Sequence, residues 1–166
     1  MGGKVKYLNF VKVTMSCSFL IELVSKKVPA FMLPHSIVIL DGDVKNNRSY
    51  SRNEKKFNNV LLLPGKKSPE RMIADFLYGL SDADELWGKI GKGYSKQVCF
   101  REYSLEQINA SGDQGRKDAK KWFNIQLRYW SRNCKMVLKR FFDSVENEVN
   151  EFNLKFDDLL KKIGYV

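Results

Sequence analysis

Two short stretches, Ile37–Leu40 and Val60–Leu63, are apolar at every position. A strand with one face in water alternates apolar and polar side chains, whereas a run that is apolar throughout is buried on both faces. Each run stops abruptly, the first at Asp41-Gly42-Asp43 and the second at Pro64-Gly65. An earlier stretch, Val5–Val13, carries β-branched and aromatic residues in loose alternation and reads as a further strand. Helical patterns follow the first and third of these strands, and the order strand, helix, strand, loop, strand, helix is that of a parallel α/β sheet. Both all-apolar runs are expected to be central in it.

The helix signals are local. Ser16 or Ser18 can cap a helix through Phe19–Lys27, with Phe19, Leu20, Leu23 and Val24 on one face, Lys26 and Lys27 in the last turn, and Pro29 preventing continuation. The polar residues 44–59 read as surface loop or a short exposed helix. Ser68 as N-cap, Pro69 at the first helical position and Glu70 behind it start a second helix. Its buried stripe is Met72, Ile73, Phe76, Leu77 and Leu80. Glycines 88, 91 and 93 open a looser stretch to about Gly115.

From Gln114 to Phe142 apolar residues recur at helical spacing: Ala119, Trp122, Phe123, Leu127, Trp130, Val137 and Phe141. Lys117, Lys121, Arg128, Arg132, Lys135 and Lys139 fall on the opposite side, aligned unless Ser131–Asn133 interrupts the helix. A final helix, about 143–163, repeats Val145, Val149, Phe152, Phe156, Leu159 and Ile163. The expected division is an α/β part over residues 1–110 and a basic, amphipathic helical extension over 111–166.

Composition narrows the chemistry. A net charge of +10 over 166 residues makes an anionic polymer the expected partner. His35 is the only histidine, which leaves little for histidine-ligated zinc or a Ser-His-Asp triad. Cys17, Cys99 and Cys134 are far apart with no CxxC pair, as in reduced cytoplasmic thiols and unlike a zinc ribbon. No apolar run approaches the roughly 20 residues of a membrane span.

The acids carry the sharpest signal. Ligands of parallel sheets gather beyond the carboxyl ends of the strands, where Asp41 and Asp43 stand. Glu70 follows the next strand after a short loop. Three carboxylates in one crevice would repel, and Mg²⁺ or Mn²⁺, a hard cation that takes oxygen ligands, removes that cost. Taken singly, Asp43 also suits a turn and Glu70 a helix N-terminus.

"SIVILDGD" followed by "VLLLPGKKSPERMIADFL" resembles the metal-binding core of Toprim domains, nearest to those of the OLD-family (overcoming lysogenization defect) ATP-dependent nucleases. The resemblance covers roughly residues 4–80. It implies a Toprim-like parallel sheet with flanking helices, Mg²⁺ or Mn²⁺ held by Asp41, Asp43 and Glu70, DNA as substrate, an ATPase domain or subunit as partner, and a role in phage defence. A later lysine that supports the cleaved phosphate would lie among Lys117, Lys120 and Lys121. Toprim domains open with a strand ending in glutamate, and the only acid before Asp41 is Glu22, inside the first helix. The resemblance therefore implies a fragment or subunit of a larger nuclease, with oligomers an open possibility.

Other readings remain. "PGKKS" lacks the first glycine of a P-loop, since Val60 stands there. The dehalogenase pattern fails at Lys45. "ILDGDV" also resembles the nucleotide-sugar motif of glycosyltransferases, which need a longer nucleotide-binding half before it. A non-catalytic nucleic-acid-binding or assembly module is the alternative from outside enzymology, with Lys117, Lys121, Arg128, Arg132, Lys135 and Lys139 as its contacts.

Overall fold

Both all-apolar runs become strands. β1 (Val38–Leu40) and β2 (Val60–Leu62) pair in parallel, Val38 opposite Val60 and Leu40 opposite Leu62. The computed structural model describes residues 9, 11, 13, 15–33 and 35–164, and among these the sheet has two strands. Most of the strand expected over Val5–Val13 lies outside the described residues. Among the described residues β1 and β2 have only each other as strand neighbours. Ile39 shows the consequence: it is 38% exposed, while Val38, Leu40 and Leu61 are buried.

The chain divides into two compact units, residues 1–66 with 150–166, and residues 67–149. In the first, α1 (Cys17–Ser25) starts at Ser16, whose hydroxyl accepts a hydrogen bond from the Phe19 N–H. Leu20, Ile21 and Val24 are its buried stripe, packed with Val38, Leu40, Val44 and Tyr50. Phe19, expected inside, is 48% exposed, because the stripe is centred on Ile21. Lys26 caps the helix and Lys27, at φ 55°, turns the chain away, so neither lies in its last turn.

After β1 come a 3₁₀ turn (Gly42–Asn46), α2 (Arg48–Asn53) and a second 3₁₀ turn (Glu54–Lys56). Asn47 caps α2 by accepting from the Ser49 and Tyr50 N–H groups. Tyr50 is buried against Phe57, ring centroids 5.4 Å apart, so this polar stretch is anchored. Asn59, also buried, donates to the carbonyls of Phe31 (2.6 Å) and Ser36 (3.1 Å), tying the entry to β2 to the segment before β1.

The second unit is helical. α3 (Pro69–Gly79) follows Ser68, which takes the N-cap position without a side-chain cap bond. The stretch expected to be loose holds three short helices, α4 (Glu85–Ile90), α5 (Lys96–Cys99) and α6 (Leu105–Asn109), each capped by a side chain: Asp84, Ser95 and Ser104. α7 (Gly112–Trp130) ends in a 3₁₀ turn (Ser131–Asn133) and α8 (Cys134–Ser144) follows, while α9 (Glu146–Lys162) belongs to the first unit from residue 150 on. The interruption left open at Ser131–Asn133 is present. Ser131 takes φ 25°, and the Asn133 amide donates to the carbonyls of Lys89 (3.0 Å) and Ile90 (3.2 Å).

One core unites this unit. Ile73 and Leu77 from α3 pack with Ile108, Trp122, Trp130, Val137 and Phe141, so the helices after residue 110 share their core with those before it. A buried polar chain crosses it. The Tyr94 hydroxyl donates to Gln126 Oε1 (2.6 Å) and accepts from Trp130 Nε1 (3.2 Å). Trp122 Nε1 and Gln126 Nε2 both donate to the Cys99 carbonyl, at 2.9 and 3.1 Å. Satisfied in this way, Gln126 costs little by its burial. Burial pushes the Cys99 thiol up to about 12, so it stays protonated and inert. Among the described residues no helix is long and apolar enough to cross a membrane.

Candidate functional site

The parallel register brings the carboxyl ends of β1 and β2 side by side, and the Leu63 N–H donates to the Leu40 carbonyl at 2.8 Å. One residue further, Asp41 takes the N-cap position of the Gly42–Asn46 turn, and Asp43 lies in its first turn. Both side chains are half-buried. The structure therefore places this pair on one tight turn at the rim of the sheet.

Gly42, between them, is buried for a reason the spacing alone does not reveal. A Cβ there would stand 2.4 Å from the Gly65 carbonyl oxygen and 2.9 Å from that of Leu63. The turn after β1 is laid directly on the backbone of the turn after β2. Only a residue without a side chain permits this approach, which links "DGD" to "LPG" as two halves of one rim.

Glu70 sits in the first turn of α3, half-buried, in the second unit. Two interactions hold that helix in place. Arg71 donates from Nε to the Ile108 carbonyl (2.9 Å) and from Nη2 to that of Ala110 (2.6 Å). Lys67 pairs with Asp75 (2.6 Å) and donates to Asn109 Oδ1 (3.1 Å), while the Asn109 amide donates back to Asp75 at 2.8 Å. This lysine-aspartate-asparagine set was not evident in the sequence, because Asn109 lies 34 residues beyond Asp75 and no periodicity connects them.

Lys117, Lys120 and Lys121 are all exposed on α7. So are Arg128, Arg132, Lys135 and Lys139, but the stripe is not one line. Lys117, Lys121 and Arg128 lie on α7, Arg132 lies in the break, and Lys135 and Lys139 lie on α8. Lys139 is paired with Asp143 at 2.7 Å. Trp122 and Trp130, the large aromatics of the same segment, are wholly buried and fill the core.

Among the described residues no group of three His, Cys, Asp or Glu side chains gathers as a set of metal ligands. What the first unit does offer is a pair of carboxylates on one turn. Two such oxygen donors suit Mg²⁺, which keeps several waters and makes few protein contacts. A groove of about 480 Å³ there lies between α1 and α2 beside Ser16, Phe19, Glu22, Ser49 and Asn53, and neither aspartate lines it. Comparison with protein-family models, curated proteins and solved structures gave no significant match.

Proposed function

We propose that this chain is a Toprim-like module that hydrolyses DNA phosphodiesters with Mg²⁺ or Mn²⁺, working with an ATPase domain or subunit. The observation that carries the reading is the Asp41-Gly42-Asp43 turn at the carboxyl end of a parallel strand, seated on the carbonyls of Leu63 and Gly65. Its two halves are the segments through which the sequence resembles Toprim domains. When bound, the cation would polarise the scissile phosphate and the attacking water. Asp41 and Asp43 would supply its oxygen ligands from a turn that Gly42 holds rigid. Glu70 is offered as a third carboxylate by the sequence resemblance alone, since among the described residues it does not form a set of three ligands with the aspartate pair. Lys117, Lys120 and Lys121 are the candidates to support the cleaved phosphate, and the exposed cations of α7 would hold the backbone by charge.

Plasmid nicking tests this. Nicking that needs Mg²⁺ or Mn²⁺ and disappears in the Asp41→Ala, Asp43→Ala double variant is the expected result. A Glu70→Ala variant should lose most of it. Nicking undiminished in the double variant would exclude the site. Metal-independent DNA binding without any nicking would favour a binding or assembly module instead, a reading that the basic α7 face supports on its own.

A further inference from the structure

The second unit contains a small hollow of about 110 Å³, lined by Ile90, Gly91, Lys92, Gly93, Tyr94, Val98 and Tyr129. Tyr129 is the unusual member. The tryptophans on α7 are fully buried, yet Tyr129 is 49% exposed, with its ring 5.4 Å from that of Tyr94. It presents an aromatic surface to solvent, held in place from behind. Gly91 is unusual too. Its φ of 172° is extended backbone that any residue adopts, and an added Cβ would meet nothing within 4 Å. Nothing in the fold requires glycine there. Its effect is to leave an open floor beside the Tyr129 ring, as where backbone must be approached closely by a ligand.

Three cations stand beside the hollow's lining residues in the chain. Lys92 is exposed on the loop, and Arg128 and Arg132 stand one residue before and three after Tyr129, both exposed. Before the hollow in the chain, Asp84 and Glu85 are engaged by Arg140 and Lys89, and after it Arg101 and Glu102 stand side by side, both exposed. Arg128 also ends the α7 row of Lys117, Lys121 and Arg128, one residue before Tyr129.

We propose that this hollow seats an unpaired base of a DNA strand, stacked on Tyr129 over the Gly91 floor, with Lys92 and Arg128 on the flanking phosphates. A base paired within a duplex is stacked on both faces and cannot enter, so the inference names single-stranded DNA as the form bound. It rests on the reading of DNA as the substrate and deepens it.

Fluorescence anisotropy in EDTA, where no metal site contributes, provides the test. The probes are a 20-nucleotide thymidine strand, an abasic deoxyribose-phosphate strand of equal length, and a blunt 20-base-pair duplex. Stacking of one base predicts that the wild type binds the thymidine strand roughly 5- to 150-fold more tightly than the abasic one. Tyr129→Phe should keep that ratio, and Tyr129→Ala should bring it near one. Gly91→Val should also abolish it while leaving Tm unchanged, since the backbone accepts a side chain and the space is open. Equal wild-type affinity for the thymidine and abasic strands would overturn the proposal. So would a ratio unchanged in both Tyr129→Ala and Gly91→Val, or tighter binding of the duplex than of the thymidine strand. A uridine RNA strand bound tenfold more tightly than the thymidine strand would overturn the assignment to DNA. Loss of nicking with the base preference intact sinks the metal reading alone; nicking without the preference sinks this one alone.

Discussion

Replacing Gly42 with alanine puts a single methyl group where the two halves of the rim touch. Ordinary contact begins near 3.4 Å, and the new carbon would lie 2.4 Å from the Gly65 oxygen, so the turns must part by roughly 1 Å. Both atoms in the way at the shortest distances are backbone carbonyl oxygens, which cannot swing aside as a side chain would. Overpacking of this kind costs about 1–3 kcal/mol. Working against it, alanine restricts the unfolded chain and returns about 0.4–1 kcal/mol where the backbone is compatible. The net expectation is destabilisation of the first unit by about 0–2.5 kcal/mol, with the larger values following if the β1–β2 ladder holds its register. Gly79→Ala is the internal control. At that helical position an added Cβ meets nothing within 4 Å, so the change should be neutral or stabilising by up to about 1 kcal/mol. Urea unfolding of both variants, with amide exchange of Leu63 read in parallel, gives the comparison. Faster exchange of the Leu63 amide is expected in Gly42→Ala alone. If Gly42→Ala is as stable as Gly79→Ala and the Leu63 amide is unaffected, the two turns do not bear on each other and the rim argument fails.

Arg71→Met removes two charged donors from the Ile108 and Ala110 carbonyls and should cost about 1–3 kcal/mol in urea unfolding; an unchanged midpoint would refute the role given to Arg71. Alkaline pH provides another check, because burial raises the Cys99 thiol from its ordinary value of 9.0 to about 12. The unfolded chain releases that proton first, so stability conferred below pH 9 should fall between pH 9 and 12 by up to about 1.4 kcal/mol per pH unit. Cys99→Ala should flatten the fall between pH 9 and 10, before Tyr94, also raised by burial, contributes in the unfolded chain. Neutralising Lys117, Lys121 and Arg128 together to glutamine should lower the slope of log affinity against log salt by about 2 for a single strand. A slope that does not change would remove α7 from the interface.

Local signals carried much of the fold. Ser68-Pro69 marked the start of α3, Ser16 or Ser18 the start of α1, and the polar Ser131-Arg132-Asn133 a place where α7 could break, each because a cap or a break is decided by a few neighbouring residues. Apolar runs were less informative. Val38–Leu40 is apolar throughout whether or not another strand lies beside it, so the exposure of Ile39 was not legible. The buried side of α1 was also misjudged, since Phe19 and Ile21 are both apolar and tertiary packing chose between them. Helices of four to six residues have too few turns to show a period, although Asp84, Ser95 and the Ser104–Gln107 capping box were signals that could have found them. At the candidate site, the aspartate pair at a strand end was readable. The need for glycine between them was not, because the atoms it avoids are carbonyls of Leu63 and Gly65, far along the chain.

The turn at Ser131 and its pinning by Asn133 have a consequence for size. Continued straight at 1.5 Å per residue, α7 would carry Phe141 about 16 Å past Trp130, out of range of any shared interior. Instead the chain doubles back and Phe141 packs 5.8 Å from Phe76 of α3. The break at Ser131 thus lets α8 return Phe141 to the core that it shares with α3.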